Sequence, residues 1–296
     1  TNSDVLAKDM LFASLDSTIR KLKINKRNFI LVDTVGFIKS LPTSLIAGTT
    51  NNVNVTFTTV NEIPIDGIIY ITFPSGFDVN SRNIAVSSSD IDGNFTVAID
   101  SGNNQRVLIT RNGDGTAKGV GKIINDLMLT NVTNPTVSGV TGVFELATSS
   151  SDIVRKVDLL ENVPAVTIIP GALASTNVAL TDYKAGSTPN ITLTFTTQNV
   201  LPMDGKVAVT FPTGFNLNGT ISVASSDIDG TLDISSGVSG QTLTITRGNG
   251  GTAIGAGVVI DDVVIVGIKN PLVSGGSGTF TIETQDASGA KIDVDG

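Results

Sequence analysis

The chain has no cysteine, no histidine and no tryptophan among its 296 residues. Without cysteine there is no disulfide framework, no thiolate metal ligand and no thiol nucleophile. Without histidine as well, the usual zinc sites and histidine-based catalytic triads are excluded. General acid–base chemistry would fall to Asp, Glu, Lys and Tyr, so no enzyme is expected. Charge is scarce too, at 16% of residues. No apolar run reaches the roughly 18–20 residues needed to cross a bilayer as a helix, so no membrane span is expected. No leader peptide is legible and the first residue is Thr1, so a processed or excerpted chain is expected.

What is present is mostly Thr, Ser, Gly, Asn and Val, the composition of strands and tight turns. The length predicts about two domains, each large enough to bury its own core. Net charge is −8, and an acidic surface disfavours nucleic acid as a partner. The charge is uneven. Residues 1–40 hold seven basic residues and four Asp, a net of +3, which leaves −11 on the remainder.

The chain repeats itself over most of its length. Ala47–Phe77 reads AGTTNNVNVTFTTVNEIPIDGIIYITFPSGF, and Ala185–Phe215 reads AGSTPNITLTFTTQNVLPMDGKVAVTFPTGF, 138 residues later and without gaps. Ser88–Gly93 (SSDIDG) recurs as Ser225–Gly230, Ile109–Arg111 as Ile245–Arg247, and Asn134-Pro135 as Asn270-Pro271. The offset drifts only from 138 to 136, which confines insertions to loops. Within each copy Val53, Val55 and Phe57, or Ile191, Leu193 and Phe195, alternate with polar residues, the period of a half-buried strand. A Pro-x-Asp-Gly turn follows (Pro64–Gly67, Pro202–Gly205), where glycine is expected to supply a positive φ. The fold class is therefore mainly β: two tandem Ig-like antiparallel β-sandwiches, over 41–170 and 171–296, with barrel closure as the alternative. The repeated Phe-Pro-x-Gly-Phe (Phe73–Phe77, Phe211–Phe215) is expected to close one end of each core.

The copies differ at their ends. Lys156-Val157-Asp158 aligns with Lys291-Ile292-Asp293, and copy one then continues through Val163–Pro170 (VPAVTIIP), a strong strand signal without a counterpart in copy two. Linker or truncation is one reading. The other is a missing strand that leaves an edge in need of partners. On the second reading Ile292 and Val294 belong to the open edge, and Phe29, Ile30, Leu31 and Val32 form the donor segment. Counting back from the shared Ala-Gly, Ile30–Val32 falls almost where Thr167–Ile169 falls before copy two.

Residues 1–40 have another character. A short helix is expected over Asp4–Leu11, capped by Ser3, then a hairpin of two strand-like runs around Asn25-Lys26. The stretch TNSDVLAKDMLFASLDSTIRKLKI…FILVDTVGFIKSLPTSLI, over residues 1–46, resembles an internal piece of the G domain of HflX-type GTPases. Asp33–Gly36 sits where that family has its DxxG motif, and Leu11–Asp16 matches its switch-I region. The resemblance implies a Mg²⁺- and γ-phosphate-sensing role for Asp33 and Gly36 in such a domain. This chain has neither the phosphate-cradling loop nor the guanine-specifying Asn-Lys-x-Asp, so no nucleotide binding is expected here.

Calcium is the one candidate cofactor. Asp90 and Asp92, and their repeats Asp227 and Asp229, have the closely spaced carboxylates and turn glycine of half a calcium loop, but the bidentate Glu is missing, and ordinary turn chemistry gives the same pattern. The modules resemble tandem β-sandwich repeats of microbial surface and filament proteins. That resemblance implies a structural subunit of an extracellular filament, sheath or surface layer, with copies of itself as partner, assembling head to tail, with donor-strand complementation as one route. The alternative is an adhesin or carbohydrate-binding stalk that contacts surface glycans or other surface proteins. Either reading places the chain outside the cell or on its surface.

Overall fold

The computed structural model describes residues 20–24, 27–31, 44–80, 83–152, 155–234, 238–248 and 250–295. The helix expected over 4–11 lies outside them, as does Val32. Among the described residues every regular element is a strand. The N-terminal hairpin is β1 (Arg20–Ile24) and β2 (Arg27–Leu31). Module 1 contains β3 (Ser44–Ile46), β4 (Thr50–Thr58), β5 (Ile68–Thr72), β6 (Val86–Ser87), β7 (Phe95–Asp100), β8 (Asn103–Arg111), β9 (Ile123–Thr133), β10 (Gly139–Val140), β11 (Phe144–Ser149), β12 (Lys156–Val163) and β13 (Thr167–Ile169). Module 2 contains β14 (Gly171–Leu180), β15 (Ile191–Thr196), β16 (Lys206–Thr210), β17 (Ser222–Ala224), β18 (Leu232–Asp233), β19 (Val238–Ser239), β20 (Thr242–Arg247), β21 (Val259–Val266), β22 (Thr281–Gln285) and β23 (Lys291–Asp295).

The period-two pattern determines which side chains meet. On β4 Val53, Val55 and Phe57 point inward, and on β15 Ile191, Leu193 and Phe195 do. They face the inward residues of β5 and β8, or of β16 and β20, in two separate cores. In module 1 one sheet runs β12-β11-β5-β8-β7 and a second β4-β9-β6, and a small third sheet, β10-β13-β3, closes one end. Module 2 repeats the two main sheets but joins them through β14. The first residues of β14 pair in parallel with β23, and its last residues pair antiparallel with β15. The register breaks between Ala174 and Asn177, where Ser175 takes φ 52°. A strand that changes sheets needs such a bulge to turn the corner.

The Phe-Pro-x-Gly-Phe motif closes each core as expected. Phe73, Phe77 and Phe144 form a triangle with ring centroids 5.5–5.7 Å apart, and Phe211, Phe215 and Phe280 repeat it at 5.4–5.6 Å. The Pro-x-Asp-Gly turns differ from expectation. Neither Gly67 nor Gly205 has a positive φ. Glycine is needed there for space, since a Cβ on Gly205 would lie 2.7 Å from Leu201 Cδ1 and 2.9 Å from the carbonyl of Gln285.

Candidate functional site

The four aspartates considered for calcium are occupied by the protein itself. Asp90 Oδ2 accepts the amide of Asn125 at 2.7 Å, and Asp227 Oδ2 that of Asp261 at 2.9 Å. Asp92 accepts the hydroxyl of Thr116 at 2.8 Å and pairs with Arg111 at 3.3 Å. Asp229 does the same with Thr252 at 2.9 Å and Arg247 at 2.8 Å. Both guanidiniums are buried, and each also donates to a turn carbonyl, of Pro64 or Pro202, at 2.7 Å. Hydrogen bonds from Thr116 hold the Asp92 carboxyl below the usual carboxylate range, and those from Thr252 do so for Asp229. Among the described residues no three acidic groups converge on a metal-sized site. The repeated Ser-Ser-Asp-Ile-Asp-Gly is thus a folded corner: Ile91 and Ile228 enter the cores while the flanking carboxylates tie the corner to a neighbouring loop and to strand β9 or β21.

The carboxylates that matter most in this corner were not singled out from sequence. Asp126 accepts Ser88 Oγ at 2.6 Å, the Ser89 hydroxyl, and the amides of Ser89 at 2.6 Å and Asp90 at 3.2 Å. Asp262 repeats this with Ser225, Ser226 and Asp227. Burial on its own would raise these carboxyls. The serine hydroxyls and the amides outweigh it and hold both far below the ordinary range.

Ile292 and Val294 do not form an open edge. Strand β23 is hydrogen-bonded on one side to β22 and on the other to the start of β14, and Ile292 belongs to the core of module 2. Phe29, Ile30 and Leu31 lie in β2, paired with β1 in the expected hairpin.

The surface the fold does build is the junction between modules. Val163–Pro170 is part of module 1, not a free linker. Val163 and Ile168 are in its core. Strand β13 pairs in parallel with β3 and antiparallel with β10, and the chain enters β14 directly at Gly171. On the module 2 side Asp293 is fully buried and grips the turn before β16. Its carboxylate accepts the amides of Gln198 (3.0 Å) and Asn199 (2.9 Å) and Asn199 Nδ2 (2.6 Å). Asn199 Nδ2 also donates to the Ala47 carbonyl at 3.3 Å, and the Ser138 amide donates to the Lys291 carbonyl at 2.8 Å. The fit is close. A Cβ on Gly171 would lie 2.3 Å from Asp293 Oδ1, and one on Gly48 1.6 Å from Asn199 Oδ1.

No family model matches the chain. A stretch of 44 residues is 54% identical to the GTPase HflX of Flavobacterium psychrophilum, which is 15% of this chain and 11% of that protein. Another GTPase HflX, of Gluconacetobacter diazotrophicus, is 58% identical over 48 residues, 16% of this chain and 11% of the relative. The chain therefore spans 11% of the length of these curated relatives, and the lengths agree with a likeness over residues 1–46. Among solved structures, the N-terminal domain of the Streptococcus gordonii adhesin Sgo0707 is similar over 83% of this chain and 58% of that one, at 13% identity and a TM-score of 0.31. A likeness that loose carries no argument about function.

Both modules have the same two ends. Module 1 repeats the Asp293–Asn199 clasp as Asp158–Asn61: Asp158 accepts the amides of Val60 (3.2 Å) and Asn61 (3.1 Å) and Asn61 Nδ2 (2.7 Å). Here Asn61 is exposed. The Ala47-Gly48 turn recurs as Ala185-Gly186, held by the same hydrogen bond, from the Gly186 amide to the Pro271 carbonyl at 2.9 Å.

Proposed function

We propose that this chain is a structural protein of the cell surface or extracellular space, a stiff rod of β-sandwich modules, and that it has no catalytic role. The observation that carries this reading is the junction. The segment between modules is folded into module 1 as β13, and the next module is clamped on it through Asn199 and Ser138 without a free linker. Flexible tethers are Gly/Ser-rich and solvated. This connector instead buries branched apolar side chains, so it transmits orientation from one module to the next.

Freedom from cysteine and histidine leaves such a rod indifferent to redox state and to pH near neutrality. The end surfaces are heterologous, clasp on one side and turn on the other, and contacts of that kind propagate in a line. Line growth suits a filament, sheath or layer component, and it makes another module of the same type the natural partner. The N-terminal segment is a poorer donor than the connector. At the positions equivalent to Val163, Val166 and Gly171 it carries Asn25, Asn28 and Asp33, two polar groups where the connector packs Val and a side chain where the junction has no room.

Residual dipolar couplings on the intact chain test the rod. One alignment tensor should fit the amides of both modules; two tensors of different orientation and magnitude would refute it. Negative-stain microscopy then reports whether copies polymerise.

A further inference from the structure

The clasp of module 2 is satisfied by module 1, but the opposite end of module 2 is not satisfied by anything among the described residues. A groove of about 600 Å³ opens there, lined by Leu180, Tyr183, Phe215, Leu272, Val273 and Phe280. The same place in module 1 is filled, and what fills it is the connector. Leu45, paired beside Ile168 of β13, is 5% exposed, and its counterpart Tyr183 is 77% exposed. Ala47 is buried and Ala185 is exposed. Phe144 is covered by its cross-strand partner Val163, while Phe280 is only half-buried. Leu272 and Val273, beside the groove, are 76% and 81% exposed.

The backbone gives the same comparison. In module 1 the Ala47 amide donates to the Ile169 carbonyl at 2.9 Å and the Thr141 amide to the Val166 carbonyl at 2.9 Å, while the Val166 amide donates to Thr141 Oγ1 at 3.0 Å. The counterparts of Ala47 and Thr141 are Ala185 and Ser277. The local scaffold is conserved between modules: Ser277 Oγ donates to the Gly278 carbonyl as Thr141 Oγ1 does to that of Gly142. Neither the Ala185 nor the Ser277 amide has a strand carbonyl to meet among the described residues. Side-chain pockets and backbone donors therefore coincide along one line, and an extended segment satisfies both at once.

We infer that this groove is the seat of a connector strand of the Val163–Pro170 type, supplied by a further module of the same repeat. Its pattern is a branched apolar residue at the positions of Val163, Val166 and Ile168, with a glycine at the position of Gly171 where the clasp closes. A second copy of this chain would present Phe29–Leu31 instead, with Asn25 and Asn28 facing apolar pockets. The inference deepens the stacked-rod reading by naming the partner segment. It is tested separately, because the dipolar couplings between modules 1 and 2 do not depend on the groove.

The test adds a synthetic peptide with the sequence of residues 161–171 (ENVPAVTIIPG) to the intact chain. The chain has no tryptophan and two tyrosines. Tyr70 is buried in module 1, so tyrosine fluorescence reports a change at Tyr183. Saturable one-to-one binding is expected, with Tyr183 becoming protected from iodide quenching. The same peptide with Ile168→Asp, or the chain with Leu272→Asp, should bind at least about tenfold more weakly. Leu272 is exposed, so that variant folds. A second form appends residues 162–171 after position 296, in the register of β12. It should raise the melting temperature of module 2 by several degrees and protect Tyr183 in cis. Absence of any change at Tyr183 in both trans and cis would overturn the inference, as would binding indifferent to Ile168→Asp. Self-association of the unmodified chain that Leu272→Asp abolishes would overturn it in favour of a second copy.

Discussion

Replacing Asp293 by alanine, and Asp158 by alanine in a second variant, compares one clasp in two environments. Each carboxylate accepts three hydrogen bonds from the turn before the next strand, at 2.6–3.0 Å for Asp293 and 2.7–3.2 Å for Asp158. Hydrogen bonds to a charged group contribute about 1.5–3 kcal/mol each, and a donor left unpaired in a buried site costs about 1–3 kcal/mol. The three share one carboxylate and do not add. Asp293 is fully buried, and its partner Asn199 meets the Ala47 carbonyl of module 1, so its loss strands the amides of Gln198 and Asn199, and a total of about 3–4 kcal/mol is expected. At Asp158 water reaches the exposed Asn61 side, and about 1 kcal/mol is expected. At roughly 3–5 °C per kcal/mol for a module of this size, calorimetry should show the second module melting about 10–20 °C lower in Asp293→Ala. In Asp158→Ala the first module should melt only about 3–5 °C lower. Equal losses would refute the reasoning, because they would mean that module 1 does not cover the Asp293 clasp in solution.

Gly171→Ala should lower stability and loosen the junction, since its Cβ meets Asp293 and Asn199; Gly119→Ala, with open space around it, should change the melting temperature little, and denaturant titration separates the two. Arg247→Lys should cost about 3 kcal/mol, because a buried fork that serves Pro202, Thr252 and Asp229 becomes a single ammonium; a change under 1 kcal/mol in urea unfolding would contradict that. Stability should hold from neutral pH down to about pH 5 and decline below about pH 4. Asp126 and Asp262 have folded pKa values below the unfolded one, so their contribution is present above the unfolded value and is lost as pH falls toward the folded one. Asp262→Ala should flatten part of that decline in acid titrations followed by circular dichroism. Chelator should leave the melting temperature unchanged, since Asp90, Asp92, Asp227 and Asp229 are already hydrogen-bonded within the protein; a drop on adding EGTA would restore the calcium reading.

The sandwiches were legible because their cause is local. Alternation of Val53, Val55 and Phe57 with polar residues sets one face of β4 regardless of what lies opposite, and the duplication states the same pattern twice. The role of Asp90 and Asp92 was not legible, because a carboxylate before a turn glycine looks the same whether it meets a cation or an amide. Thr116, on a loop, and Asn125, in β9, which occupy those carboxylates, lie 24 and 35 residues away. Ile292 was misplaced for a related reason. The end of an aligned repeat looks like an edge, but β14, more than 110 residues earlier in the chain, had already closed it.

By itself the sequence determined that there are two β modules without disulfide, thiolate or imidazole chemistry, each closed at one end by a Phe-Pro-x-Gly-Phe pair, and that a segment of different character precedes them. Those properties follow from residue types and short periods. Only the tertiary structure decided that Val163–Pro170 is a strand of module 1 and not a tether, that Asn199 clamps the junction, and that module 2 shows an unfilled copy of a seat module 1 fills. Periodicity reports which face of a strand is apolar. Which distant segment covers that face depends on how the sheets close in space, and no local pattern encodes it.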